Sequence, residues 1–364
     1  MTFIPPAERL VGVTLKDNWY VVEKVIRDVK SWSGASCYKV TRGSEVGFLK
    51  AFDLSGMKKV GGEDDHELLT HRFKRELSII KQCSDAKIGG VVNLLGSGKH
   101  FHSGTDLNEL VNYFILEYCA DGDMLKCIED HSLIDFASRC AAVRDICEAV
   151  DKMHANGVMH LDIKPENLIH FINERVTKIV DFGSARRYIV DVDPNLNDEL
   201  NEITTTYSYA PFECLYHDND WTNNWNEYRR KIDLFLVGTI IVRIFTNMTF
   251  SSLLRNRLAD KYSWKNKRNL GKFQEIKPFL IEAGSKVYVM IKSELEAINS
   301  RCGHPLTPAQ VKQIVSTIRD LCYPDPKQRG HPEEVGRKNE SDGLYRYHDR
   351  FKEMFEQCSL KISK

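Results

Sequence analysis

Four side chains in one stretch of this chain have the types and spacing of a phosphate-handling centre. The run His160-Leu-Asp-Ile-Lys-Pro-Glu-Asn167 supplies Asp162, Lys164 and Asn167, and Asp181-Phe-Gly183 begins fourteen residues after Asn167. A hard cation such as Mg²⁺ takes oxygen ligands and keeps part of its shell for water and phosphate oxygens. The Asp181 carboxylate and the Asn167 amide carbonyl are such ligands. Asp162 is then left to accept the proton of an attacking hydroxyl, while the Lys164 ammonium stands against the charge developing on a transferring phosphate. Both segments adjoin apolar runs, NLIHFI and TKIV, so the polar groups read as loop residues beside buried chain.

HLDIKPEN resembles the catalytic loop of the eukaryotic-type protein kinase family, and IVDFGSA resembles its metal-binding motif. The order and separation of the two are also the family's. The resemblance implies an α+β, two-lobed fold, with a small antiparallel β-sheet lobe carrying one helix and a larger, mainly α-helical lobe. It implies ATP and Mg²⁺ as cofactors, proteins as substrates, transfer of the γ-phosphoryl group to serine or threonine hydroxyls, and autophosphorylation. Lys164, two residues after the catalytic aspartate, is typical of the serine/threonine branch.

Other segments extend the resemblance over residues 18–335. VGFLKAF is similar to the strand bearing the nucleotide lysine, which makes Lys50 the candidate for the α and β phosphates. Its ion-pair partner would be Glu76 in FKRELSII, with Glu67 as the rival across the GMKKVGGEDDHE insertion. FILEYCADGDML is similar to the hinge: backbone around Glu117 and Cys119 would bind adenine, Leu116 would line the back of the pocket, and Asp123 would reach the ribose hydroxyls. In KIDLFLVG, Asp233 would hold the catalytic-loop backbone, and in YPDPKQR, Arg329 would pair with the glutamate closing the activation segment.

These residues need a scaffold, and the patterning supplies one. WYVVEKVI at 19–26, VGFLKAF at 46–52 and VNYFILEY at 111–118 are rich in β-branched and aromatic residues and predict strands. HELLTHRFKRELSIIKQ at 66–82 places Leu69, Phe73, Leu77 and Ile80 at helical spacing. After residue 124 the periodicity is helical at 134–155, 231–246, 285–300 and 307–322. The expected organisation is an N-terminal extension over 1–17, a kinase domain over 18–335 and a helical tail over 336–364. Within the domain, 18–118 is the strand-rich lobe, 117–123 the hinge and 124–335 the helical lobe. Tyr345, Phe351 and Phe355 equip the tail to dock on that lobe. Segments 55–65, 100–108 and 189–202 read as surface loops.

Composition sets outer limits. The 364 residues are 42% hydrophobic and 28% charged, which suits an ordinary globular chain rather than a disordered one. Lys plus Arg equals Asp plus Glu at 51 each, so no global field draws in nucleic acid or an anionic membrane. The apolar stretch 234–245, broken by Arg243, is shorter than the ~20 residues of a membrane span and reads as a buried helix. Ten scattered cysteines without a CxxC pair, and an N-terminus without a secretory pattern, point to a reducing cytoplasm. Oligomeric state is not legible.

Three departures from the family pattern stand out. Where a GxGxxG loop normally covers the phosphates, Lys30, Trp32 and Ala35 replace glycines and only Gly34 remains. Leu161 stands where regulated kinases carry the arginine that clamps an activation-segment phosphate, so phosphate on Thr204, Thr205 or Thr206 is not expected to be required, and alanine at all three is expected to cost less than about tenfold in activity. Arg186 and Arg187 are substitute clamps on this reading. APFE displaces the closing glutamate by one residue, to Glu213. The aromatic, asparagine-rich region 221–225 fits either loop packing or a partner surface. The degenerate glycine loop supports an alternative, a pseudokinase acting as a nucleotide-binding scaffold or regulatory module. A small-molecule phosphotransferase of related fold is the other class in play.

Overall fold

Five strands, β1 (Tyr20–Lys24), β2 (Ala35–Arg42), β3 (Glu45–Asp53), β4 (Leu94–Phe101) and β5 (Leu110–Glu117), pair antiparallel in the order β1-β2-β3-β5-β4. The computed structural model of the protein describes residues 4–25, 35–53, 63–103, 109–129, 135–188, 205–215, 225–258, 273–302, 304–337 and 342–362. The chain divides into two compact units, Met1–Lys87 with Val91–Ala120, and Ile88–Gly90 with Asp121–Lys364. The sheet belongs to the first.

One face of the sheet is closed by residues expected to be an extension. Ala7, Leu10 and Leu15 join Trp19, Val21, Tyr38, Val40, Leu49, Val111, Tyr113 and Ile115 in a single buried core. Polar atoms fasten the segment: Tyr38 Oη donates to Ala7 O at 2.5 Å, and Lys16 N donates to Tyr113 Oη at 3.2 Å. The first unit therefore begins well before residue 18. Strands β1, β3 and β5 fall where patterning puts them. β2 and β4 carry too few buried apolar residues, and β4 (LLGSGKHF) too much glycine, to show the period of two.

Helix α1 (Glu63–Asp85) lies in the same unit. Its buried positions are Phe73, Glu76, Ile79, Ile80 and Cys83, so the inward stripe includes a glutamate. Phe73, Phe52 and Phe114 cluster with ring centres 5.0–6.1 Å apart between helix and sheet. The side chains of 63–68, including Glu67, lie outside the described residues, as do Lys30, Trp32, Gly34, Thr204 and the side chains of 221–225.

The second unit is helical. Its helices are α2 (Met124–Glu129), α3 (Phe136–Ala155), α4 (Trp225–Thr246), α5 (Phe250–Leu258), α6 (Phe273–Asn299), α7 (Pro308–Leu321) and α8 (Leu344–Ile362). Asp135 caps α3 by accepting Ser138 N at 2.6 Å, and Thr307 with Gln310 forms a capping box on α7 behind Pro308. α4 is buried almost throughout, and Gly238 gives it close approach to α7: a Cβ there would lie 2.5 Å from Cys322 Sγ. α8 packs along α3, with Phe351 buried, its ring 6.2 Å from that of Phe245, and Tyr347 Oη donating to Asp320 at 3.2 Å. The tail thus docks, although Tyr345 stays 40% exposed. No single helix among the described residues is long and apolar enough to cross a membrane.

Two short strand pairs carry the site: the hairpin β7 (Leu168–Phe171) with β8 (Val176–Ile179), and the pair β6 (Val158–Met159) with β9 (Arg186–Arg187). The two loops leaving this framework are 160–167 and 180–185.

Candidate active site

In the first unit, Lys50 on β3 and Glu76 on α1 form an ion pair, Nζ to Oε1 at 2.8 Å, with side chains 8% and 4% exposed. The Lys50 ammonium also stands 5.5 Å from the Phe52 ring centre and 5.9 Å from that of Phe114. A buried charge pair set in an aromatic wall has little freedom, and its two partners depend on each other. Twenty-six residues separate them in sequence. At the end of β5, the Glu117 carboxylate is occupied by Asn93, accepting its backbone N at 2.8 Å and its Nδ2 at 3.3 Å, so only backbone there could meet a ligand. Leu116 is buried, and Cys119 is half-buried and forms no disulfide.

In the second unit, the buried Asp233 carboxylate on α4 accepts the amides of His160 at 2.8 Å and Leu161 at 2.7 Å, and faces His154 Nε2 at 3.0 Å. This holds Leu161 in the left-handed region, φ +65°, a conformation uncommon for a residue with a side chain. Asp162, the next residue, is itself buried. Its Oδ2 accepts Lys164 Nζ at 2.8 Å and Asn167 Nδ2 at 3.1 Å, while Asn167 Nδ2 also donates to Asp162 O at 2.9 Å. The Asn167 amide is thereby oriented, its nitrogen spent on Asp162 and its carbonyl oxygen left as an acceptor. Val180 N donates to Asn167 O at 2.9 Å, which ties the residue before Asp181 to Asn167. Asp181 itself has φ +64°. His160 braces this junction, its Nε2 3.1 Å from Val180 O and its ring edge-on to Phe182.

This donor set fits a magnesium ion: one carboxylate and one oriented amide carbonyl, with no cluster of three His, Cys, Asp or Glu among the described residues to complete the shell. Phosphate and water would supply the rest. Asp123 has its Oδ1 on Lys126 N at 3.0 Å, capping α2, which leaves Oδ2 for a ligand hydroxyl.

Patterning did not reveal what the activation segment does. Thr206 N and Oγ1 donate to Asp162 Oδ1 at 3.0 and 2.7 Å, and Lys164 Nζ donates to Thr206 Oγ1 at 2.8 Å. Thr205 Oγ1 donates to Leu161 O at 2.6 Å. Alanine at Thr206 would remove a hydroxyl that lies on the Asp162 carboxylate, a contact that the expected mild cost of alanine at all three threonines does not include. No local signal marks this, because the partners are 44 residues apart and any hydroxyl could serve. Arg186 Nη1 donates to Ser184 O at 2.9 Å and to Ala185 O at 3.1 Å. The extra residue of APFE is absorbed in a 3₁₀ turn over Phe212–Leu215, and Glu213 meets Arg329 in a bidentate pair buried to 1% or less.

The family described as protein kinase domain matches residues 48–339. Relatives include SNF1-activating kinase 1 of Saccharomyces cerevisiae, 26% identical over 213 residues, 52% of this chain and 18% of that protein. Aurora kinase C of Mus musculus is 31% identical over 178 residues, 49% of this chain and 55% of that protein. Serine/threonine-protein kinase PKH2 of S. cerevisiae is 38% identical over 138 residues, 36% of this chain and 12% of that protein. The chain thus spans less than two thirds of the length of these relatives. With most of its residues matched and the motif residues held as described, the chain belongs to the protein kinase family, as a divergent member of the eukaryotic type.

Proposed function

We propose that this chain is an active serine/threonine kinase that transfers the γ-phosphoryl group of ATP to protein hydroxyls and phosphorylates itself. The observation that carries this reading is a threonine hydroxyl 2.7 Å from the Asp162 carboxylate and 2.8 Å from the Lys164 ammonium. An aliphatic hydroxyl seated there has its proton directed at a base and its oxygen beside a cation, the arrangement an acceptor needs. When bound, ATP with Mg²⁺ supplies an electrophilic phosphoryl group. Lys50, oriented by Glu76, would hold the α and β phosphates, and Asn167 with Asp181 would hold the metal. Asp162 orients the acceptor hydroxyl and takes its proton, and Lys164 offsets the negative charge nearby.

Ten scattered cysteines, none in a disulfide, support a cytoplasmic location. The test is incubation of the full chain with labelled ATP and Mg²⁺ beside a mixed serine, threonine and tyrosine peptide set, with mapping of labelled residues. Label on serine and threonine is expected, and its loss in Asp162→Asn. Nucleotide binding without transfer to any peptide would replace this reading with a nucleotide-binding scaffold.

A further inference from the structure

The residue after Thr206 is gripped by an arginine that has no acidic partner among the described residues. Helix α5 presents Ser251 and Arg255 one turn apart to the segment 207–210. Ser251 Oγ donates to Tyr209 O at 3.0 Å, and Arg255 Nη2 donates to Tyr207 O. The Arg255 guanidinium lies 4.2 Å from the Tyr207 ring centre and 5.8 Å from that of Phe212. Tyr207 itself is 46% exposed.

That grip leaves one buried guanidinium nitrogen without an acceptor among the described residues. Among the described residues Arg255 Nε is buried with no acceptor, the Nη2 bond is the only one its donors make, and no carboxylate pairs with it. Burial accordingly lowers its pKa. Arginines withdrawn from water are normally met by a carboxylate or phosphate, whose bidentate geometry suits the guanidinium fork. A positive group stacked on an exposed aromatic ring, one residue from the hydroxyl on Asp162, has the makings of a receptor for an acidic side chain.

We propose that Arg255 and Tyr207 form a subsite for a glutamate or aspartate flanking the acceptor residue of a protein substrate. The proposal rests on the kinase reading above for the word substrate, but its test does not need catalysis. Two labelled peptides, one with Glu-Ser-Glu and one with Gln-Ser-Gln at its centre and otherwise identical, are titrated by fluorescence anisotropy into the full chain. The glutamate peptide should bind about tenfold more tightly, as one charge-assisted hydrogen-bonded pair allows, and the ratio should shrink at high salt. In Arg255→Gln, which keeps a donor for Tyr207 O, the ratio should fall to about one. Arg255→Lys, which keeps the charge but loses the planar fork, should retain part of it. Equal binding of both peptides by the parent chain would overturn the subsite, and so would an undiminished ratio in Arg255→Gln. Absence of phosphoryl transfer to either peptide would count against the kinase reading alone.

Discussion

Replacing Thr206 by valine removes one hydroxyl and little else, since the side chains are nearly the same shape. Its Oγ1 donates to Asp162 Oδ1 at 2.7 Å and accepts from Lys164 Nζ at 2.8 Å, while the backbone N–H of residue 206 keeps its own 3.0 Å bond to Asp162 in the variant. Hydrogen bonds to charged groups contribute about 1.5–3 kcal/mol each. The two are not additive here, because Asp162 and Lys164 also bond each other at 2.8 Å and can close the gap. One such bond is the fair measure of the loss, about 1.5–3 kcal/mol, or roughly 10- to 150-fold in kcat/KM. Steady-state kinetics with a serine peptide should show this in kcat, with the ATP KM little changed and serine at 206 restoring the rate. Glutamate at 206 should not restore it, since it would set a second carboxylate against Asp162. A valine variant within about threefold of the parent would refute the claim that Thr206 orients the base. A faster one would show that its hydroxyl competes with the acceptor.

Asp162→Asn should lower transfer by about 10²- to 10⁴-fold while nucleotide binding, followed by calorimetry, persists. Lys50→Met and Glu76→Gln should each depress activity, with the double variant losing less than the sum by about 0.5–3 kcal/mol; strict additivity would break the pairing. Glu213→Ala strands the buried Arg329 guanidinium and should cost about 3–5 kcal/mol in denaturant unfolding of the second unit. Phe351→Ala should cost a similar ~3–5 kcal/mol if α8 is part of the core, whereas a merely tethered tail would show no loss.

The residues of the site and their order along the chain were determined by the sequence itself, because the motif groups act through local geometry. Asp162, Lys164 and Asn167 lie within one short loop, so their types and spacing already describe the hydrogen bonds from Lys164 and Asn167 to Asp162. The long helices were legible for a related reason: an amphipathic stripe is written in each helix's own residues, as in α3 and α7. The tertiary structure decided what depends on residues far apart. Only folding selects Glu76 as the partner of Lys50, since a glutamate on the inward stripe of α1 looks like any surface charge until the stripe is seen to face β3. Residues 6–15 read as an extension because their few apolar side chains carry no period, yet Ala7, Leu10 and Leu15 complete the sheet's core. Thr205 and Thr206 read as polar loop because their partners are a backbone carbonyl and a carboxylate 44 residues away. A hydroxyl fits solvent and active site equally well, and what separates the two is the distance across the fold, which no local spacing encodes.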